Sequence, residues 1–246
     1  MGLGPVGFDL DMTLIDSRPA IMASFAATSR DMSAGIDLDA VDSRLGVKLE
    51  DELAYWFPPE RIAEAADCYR RHYVRLAAEK TSALPGAREA LAAVRAAGQR
   101  AVIITAKHPV SVGPSLRAAG LTADELFTHV HGLEKAEVLR SRRAAVYVGD
   151  TPPDIAAGIS AGARAIGVAT GSFTAAELRR AGAELVLGTP EEFPAWYQGS
   201  AASAARHAAG PTAARPSTPA SSHDACYREL PRAVRRPRGD GADRRF

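Results

Sequence analysis

The chain of 246 residues alternates between two hydrophobic patterns from about residue 84 to residue 197. Short continuous apolar runs, typical of buried strands, alternate with stretches in which apolar residues recur every three or four positions, as on one face of a helix. The strand-like runs span 100–105, 126–131, 145–148, 165–169 and 185–187, and the helical stretches span 86–97, 110–119, 135–143, 153–161 and 174–181. This alternation predicts an α/β fold, a parallel sheet with helices on both faces.

A different pattern separates the first strand-like run, which ends at Phe8, from this block. Between residues 17 and 82 the apolar positions have helical spacing, for example at Ile21 and Phe25, and no convincing strand is found. The sequence therefore predicts a helical insert, residues 17–82, within a core formed by residues 1–16 and 83–198.

The composition is that of an ordinary soluble globular protein, with 46% hydrophobic and 24% charged residues. No apolar run approaches the length of a membrane span, and the first residues lack the charged head of a signal peptide. The two cysteines, Cys68 and Cys226, do not form a disulfide framework. These features predict a cytoplasmic protein with no membrane partner.

The composition changes near residue 199, where the chain becomes rich in Ala, Ser, Pro and Arg. Such a segment cannot bury enough apolar surface to offset its ordering entropy, so residues 199–246 are predicted to be a disordered tail. Nine arginines and four acidic residues follow Ser200, so this segment carries a charge of +5. Because the whole chain has a net charge of +1, the rest of the chain carries −4. Only the tail could therefore attract nucleic acid, and a merely solvated extension is the favoured interpretation.

The strongest chemical signal lies where the first strand-like run ends, at Asp9 and Asp11, with a hydroxyl at Thr13. Two carboxylates crowded at the end of a buried strand raise each other's pKa and are partly desolvated, unless a cation neutralises them or one acid works protonated. Such a pair suits a carboxylate nucleophile beside a general acid over a divalent metal. The alternative is an Asp-rich turn after a strand.

Three downstream features favour the chemical interpretation. One strand-like run ends in Gly149 and is followed by Asp150 and Asp154, another ends in the hydroxyl of Thr105, and Lys135 opens a helical stretch. Because the carboxyl ends of parallel strands line one crevice, these groups can converge.

The order and spacing of these residues resemble the four motifs of the haloacid dehalogenase-like hydrolase superfamily. The motifs match Asp9-Leu-Asp11-Met-Thr13, then Thr105, Lys135 and Gly149-Asp150-x-x-x-Asp154, and the resemblance covers roughly residues 5–197. The segments 14–17, 69–73 and 84–91 are most similar to the phosphoglycolate-phosphatase-like branch. Met12 stands where the family most often has Gly, and Ala106 where that branch often has Asn. The resemblance implies a Rossmann-like α/β core, with residues 17–82 as an inserted α-helical cap.

The resemblance also implies a role for each motif residue. Asp9 would attack the phosphorus of a phosphomonoester, and Asp11 would protonate the leaving alcohol and then activate water. Asp9, the Asp11 carbonyl and Asp150 would bind Mg²⁺. Asp154 would hold metal-bound water or Lys135, and Thr13 would stabilise the first motif's loop. The remaining role, binding the phosphoryl oxygens, would fall to Thr105, Ala106 and Lys135.

The leading hypothesis is a Mg²⁺-dependent phosphatase for a small phosphorylated metabolite, with phosphoglycolate as the first candidate. A dehalogenase is disfavoured by Asp11, since displacing a halide needs no acid. A phosphomutase would have to retain the phosphoaspartate, and a phosphonatase would need a cap lysine such as Lys48 to face the site. A catalytically silent binding protein is disfavoured because all four motifs are intact. Lys107 and Arg18, near the motifs, are further candidates for substrate contact.

Overall fold

The computed structural model describes residues 4–208 of the chain, and the side chains of residues 4–200. Eight strands are found within this part: β1 (Val6–Phe8), β2 (Ile15–Asp16), β3 (Ser82–Ala83), β4 (Ala101–Ile104), β5 (Glu125–Phe127), β6 (Val146–Gly149), β7 (Arg164–Val168) and β8 (Leu185–Leu187). The α-helices there are α1 (Arg18–Asp31), α2 (Leu38–Ser43), α3 (Leu49–Leu53), α4 (Ile62–Lys80), α5 (Ala87–Ala96), α6 (Pro109–Ala119), α7 (Glu134–Arg142), α8 (Pro152–Ser160), α9 (Ala175–Arg180) and α10 (Phe193–Ala208).

Six strands form one parallel sheet in the order β5-β4-β1-β6-β7-β8. Alternate residues of each strand pack on opposite faces, as the period of two requires. Phe8 and Ile103, for example, pack with residues of α5 and α10, whereas Val102 and Tyr147 pack with residues of α7 and α8. The predicted α/β fold with helices on both faces is confirmed.

Helices α1 to α4 lie between β2 and β3, where the sequence predicts a helical insert. They share a hydrophobic cluster of their own that includes Phe25, Leu53, Phe57 and Tyr69. The strands β2 and β3 pair antiparallel at the base of this insert, and they are too short to show periodicity in the sequence. Among the described helices, none has the length and apolarity needed to cross a membrane.

Two predicted boundaries differ from the structure by more than two residues. The strand predicted to reach residue 131 ends at Phe127, because His129 adopts a left-handed φ of 59° and its backbone N–H bonds the carbonyl of Lys107 in the neighbouring loop. Helix α10 continues to Ala208, past the boundary predicted at residue 199, in an alanine-rich segment with high helix propensity. The remainder of the predicted tail lies outside the described residues.

Candidate active site

The topology of the sheet brings three predicted site residues to one edge. Strand β1 lies between β4 and β6, and each strand is followed at its carboxyl end by a motif residue: Asp9 after β1, Thr105 after β4 and Asp150 after β6. All three side chains are buried. The predicted convergence of strand ends therefore holds for these three residues.

Lys135 reaches the same edge from the first turn of α7. Its ammonium donates hydrogen bonds of 2.7 Å to Oδ1 of Asp9 and 2.7 Å to Oδ1 of Asp154, and its side chain is only 7% exposed. Burial alone would lower the pKa of Lys135, but the carboxylates of Asp154 and Asp9 outweigh burial and raise this pKa well above its ordinary value. Lys135 is therefore a permanent positive charge among buried acids.

Asp154 is fixed by neighbours in its own segment. Its Oδ1 also accepts from the Tyr147 hydroxyl at 3.1 Å, and its Oδ2 accepts from the Thr151 hydroxyl at 2.5 Å. Thr151 in turn caps α8 in a reciprocal capping box with Asp154. Gly149 provides the space, since a Cβ at that position would lie 2.3 Å from Cβ of Asp154. This arrangement orients Asp154 toward Lys135.

Asp150 lies in a tight environment near Asp9. Its Oδ1 accepts a 3.1 Å hydrogen bond from the Thr13 hydroxyl. A Cβ on Gly171 would lie 2.0 Å from its Oδ2, so only glycine fits there without moving Asp150. Burial, followed by the charges of Asp9 and Asp154, raises the pKa of Asp150 well above its ordinary value.

The carboxylates of Asp9, Asp150 and Asp154 each offer an oxygen within 4.8 Å of the others. Burial raises the pKa of Asp9 to about 7, although the Lys135 charge acts in the opposite direction. Three ionised carboxylates and one ammonium would leave a net charge of −2 in a buried site. Oxygen donors with surplus negative charge are what hard divalent cations such as Mg²⁺ and Ca²⁺ bind. These carboxylates are therefore suitable ligands for a divalent metal ion.

The carboxylate of Asp11 is directed away from that cluster. Its Oδ1 accepts from the Lys107 ammonium at 2.6 Å and from the Ser17 hydroxyl at 2.5 Å. Burial would lower the pKa of Lys107, but the charge of Asp11 outweighs it and raises that pKa. This geometry agrees with a metal contact through the Asp11 carbonyl alone, which stays a prediction.

Met12 occupies the position where the family most often has glycine, and its backbone explains that preference. Its φ is 57°, in the left-handed region that glycine adopts without steric cost. A side chain in this conformation costs roughly 1–2 kcal/mol. The loop is held by Thr170, whose hydroxyl donates to the carbonyl of Met12, and by a 2.8 Å hydrogen bond from the Met12 N–H to the carbonyl of Ile15.

These groups open into a cavity of about 300 Å³. Its floor includes Asp9, Thr105 and Ala106 from the sheet edge, while Tyr69 and Tyr73 line it from α4 of the insert. Its other basic lining residues, besides Lys107 and Lys135, are Arg44, Lys48, Arg70, His108, His129 and His131. Arg18 does not line it and instead pairs with Asp42 at 3.2 Å.

Sequence reasoning missed several residues that hold the site together. Tyr147 and Thr151 bind Asp154, Ser17 binds Asp11, and Gly171 makes room for Asp150. Thr151 carried a usable signal, since a Thr three residues before an acid at a helix start is the pattern of a capping box. The other contacts depend on how the loops after the strands pack, so spacing alone does not reveal them.

Known proteins with similar sequences include two phosphatases by name. The protein named "Probable phosphatase IndB" from Dickeya dadantii is 28% identical over 205 residues, which cover 75% of this chain and 89% of that protein. A phosphoglycolate phosphatase from Nitrosospira multiformis is 30% identical over 125 residues, covering 47% of this chain and 55% of that enzyme.

Solved structures share the fold. A haloacid dehalogenase-like hydrolase from Streptococcus pneumoniae superimposes with a TM-score of 0.70 at 20% identity, covering 80% of this chain and 99% of that one. CbbY from Rhodobacter sphaeroides, solved in complex with phosphate, gives a TM-score of 0.68 at 20% identity, covering 77% of this chain and 96% of that one.

The family model for haloacid dehalogenase-like hydrolases matches residues 6–168. That span begins with β1 and ends with β7, and it contains Asp9, Thr105, Lys135 and Asp150. The match covers well over half of the chain and includes all four motifs. The chain therefore belongs to the haloacid dehalogenase-like hydrolase family.

Proposed function

We propose that this hydrolase is a Mg²⁺-dependent phosphatase that hydrolyses a small phosphomonoester, phosphoglycolate-like in kind, through an aspartyl-phosphate on Asp9. The observation that carries the proposal is the buried contact of Lys135 with both Asp9 and Asp154, beside Asp150. The phosphatases among the chain's relatives support the same reaction class.

In the first step a carboxylate oxygen of Asp9 forms a bond to phosphorus while the bond to the leaving alcohol breaks. Lys135 holds Oδ1 of Asp9, which makes Oδ2 the oxygen available for attack. Asp11 donates its proton to the leaving oxygen as that bond breaks, so the alcohol departs neutral.

In the second step Asp11, now a carboxylate, removes a proton from water as the water attacks phosphorus. The bond between phosphorus and Asp9 then breaks and releases inorganic phosphate. The hydroxyl of Thr105, the backbone of Ala106 and the ammonium of Lys135 would bind the phosphoryl oxygens throughout.

Asp9, Asp150 and the Asp11 carbonyl would hold the Mg²⁺, with Thr13 and Asp154 in support. When bound, the ion supplies positive charge that offsets the carboxylates and the phosphoryl group. The dense carboxylates would otherwise repel a dianionic substrate.

We infer that the insert is a cap over this site. Support comes from the cavity, whose lining combines sheet-edge residues such as Asp9 with insert residues such as Phe25 and Tyr69. A cap in this position would exclude water from the phosphoryl group and contact the part of the substrate that differs between metabolites.

Removal of divalent metal tests the proposal. In a screen of phosphorylated metabolites, we expect turnover to disappear in EDTA and to return with Mg²⁺. Ca²⁺ should not restore it, because calcium takes more ligands at longer distances and would displace Asp9 from in-line attack. Released phosphate is the measurement, and full phosphate release in chelator would contradict the proposed metal dependence.

A further inference from the structure

Lys107 is a buried cation of the cavity to which the reaction described above assigns no role. Its side chain is 8% exposed, and its ammonium lies 2.6 Å from Oδ1 of Asp11. It is also 4.2 Å from the ring centroid of Tyr73, a cation–π contact. Lys107 therefore lies between the predicted general acid and a helix of the insert.

Both side-chain donors to Asp11 bind the same oxygen. Lys107 and the hydroxyl of Ser17 reach Oδ1, whereas no hydrogen bond from the described residues reaches Oδ2. The carboxyl plane is thereby fixed, and Oδ2 remains the oxygen that can carry a proton to a substrate. This division of the two oxygens is what a positioned general acid requires.

The position of Lys107 is itself fixed from two sides. Its backbone N–H donates to the Thr105 hydroxyl at 3.1 Å, which ties it to the end of β4. The fully buried Tyr73 covers it from α4, and the Tyr73 hydroxyl bonds that of Ser115 on α6 at 3.0 Å. The ammonium is thus held in place before any substrate binds.

We propose that Lys107 is a positioning residue that orients Asp11 and stabilises its carboxylate as the proton leaves for the substrate. The inference rests on the proposed phosphatase reaction. As the bond between phosphorus and the leaving oxygen breaks, the Asp11 proton moves to that oxygen and negative charge develops on Asp11. Lys107 keeps its own protons and offsets that charge from a distance of 2.6 Å.

Two substrates with different leaving groups distinguish this role from direct phosphate binding. p-Nitrophenolate is a good leaving group and needs little protonation, whereas an alkoxide needs it strongly. General acid catalysis is typically worth about 10²–10⁴-fold. We expect Lys107→Met to lower kcat/KM for an alkyl phosphate by roughly 10–100-fold, mostly in kcat, and for p-nitrophenyl phosphate by less than about threefold.

The ratio of the two rates is the decisive readout, because it does not depend on the fraction of correctly folded enzyme. Lys107→Arg, which keeps the charge, should restore part of the ratio. Lys80→Met removes an exposed lysine at the end of α4, outside the cavity, and should leave the ratio unchanged. In the background of Asp11→Asn, Lys107→Met should add no further selective loss, since coupled residues are not additive.

Equal losses for both substrates would overturn the inference and make Lys107 a phosphate ligand or a purely structural residue. The absence of any loss with either substrate in Lys107→Met would also overturn it. If the proposed function is wrong, wild-type enzyme with Mg²⁺ will release phosphate from neither compound. That result would also exclude the proposed role of Lys107, and it differs from the two results above, in which the wild-type enzyme is active.

Discussion

Replacing Asp9 by Asn is expected to reduce phosphatase turnover by at least about a thousandfold, a barrier increase of about 4 kcal/mol. The amide has nearly the shape of the carboxylate and can still accept a hydrogen bond from Lys135, but it is not a competent nucleophile. The fold should survive, since the change removes a charge from a site in which burial already raises the pKa of Asp9 to about 7.

Phosphate release and far-UV circular dichroism measure the two expectations separately. Asp124→Asn is a matched control, because Asp124 bonds Arg95 and the backbone N–H of Ala101, at the opposite end of β4 from Thr105. It should leave kcat unchanged. A folded Asp9→Asn enzyme with activity within about tenfold of wild type would exclude Asp9 as the nucleophile.

Replacing Lys135 by Met should cost both activity and stability. The substitution leaves Asp9 and Asp154 buried without the ammonium that bonds them at 2.7 Å. Removing one partner of a buried ion pair typically lowers the free energy of unfolding by about 3–5 kcal/mol. At about 2–4 °C per kcal/mol for a chain of this size, the melting temperature should fall by roughly 10 °C.

Thermal and urea unfolding without divalent metal measure this loss. Lys80→Met, an exposed lysine at the end of α4, should change the free energy of unfolding by less than about 0.5 kcal/mol. Added Mg²⁺ should recover part of the Lys135→Met loss, because a bound cation replaces some of the missing charge. A loss below about 1 kcal/mol would show that the buried acids do not depend on Lys135.

The parts of this site that the sequence predicts are those that follow from strand order. Asp9, Thr105 and Asp150 each come directly after a buried apolar run, and in a parallel sheet such positions share one edge. Lys135 could be included because its place among the motifs matches the family. The resemblance predicts that Asp154 holds either metal-bound water or Lys135, and the structure shows the contact with Lys135. The simultaneous contact of Lys135 with Asp9 could not be predicted, since it requires the packing of α7 against the sheet.

The features that escaped prediction depend on tertiary contacts or on single backbone angles. Ser17 and Lys107 meet at one oxygen of Asp11 although 90 residues separate them in the chain. The left-handed φ of His129 ends β5 at Phe127, although the hydrophobic pattern predicts a strand as far as residue 131. Neither a distant contact nor a single φ changes the hydrophobic pattern from which elements are predicted.

The central claim is that the phosphoryl group passes through Asp9, and trapping the intermediate tests it most directly. Wild-type enzyme is mixed with a phosphomonoester and Mg²⁺, quenched during the first turnover, reduced with borohydride and mapped by mass spectrometry. An aspartyl-phosphate is reduced to homoserine, so we predict homoserine at position 9, dependent on substrate and absent from Asp9→Asn. Reduction at another carboxylate, or an unmodified Asp9 while phosphate is released in a burst, would contradict the account.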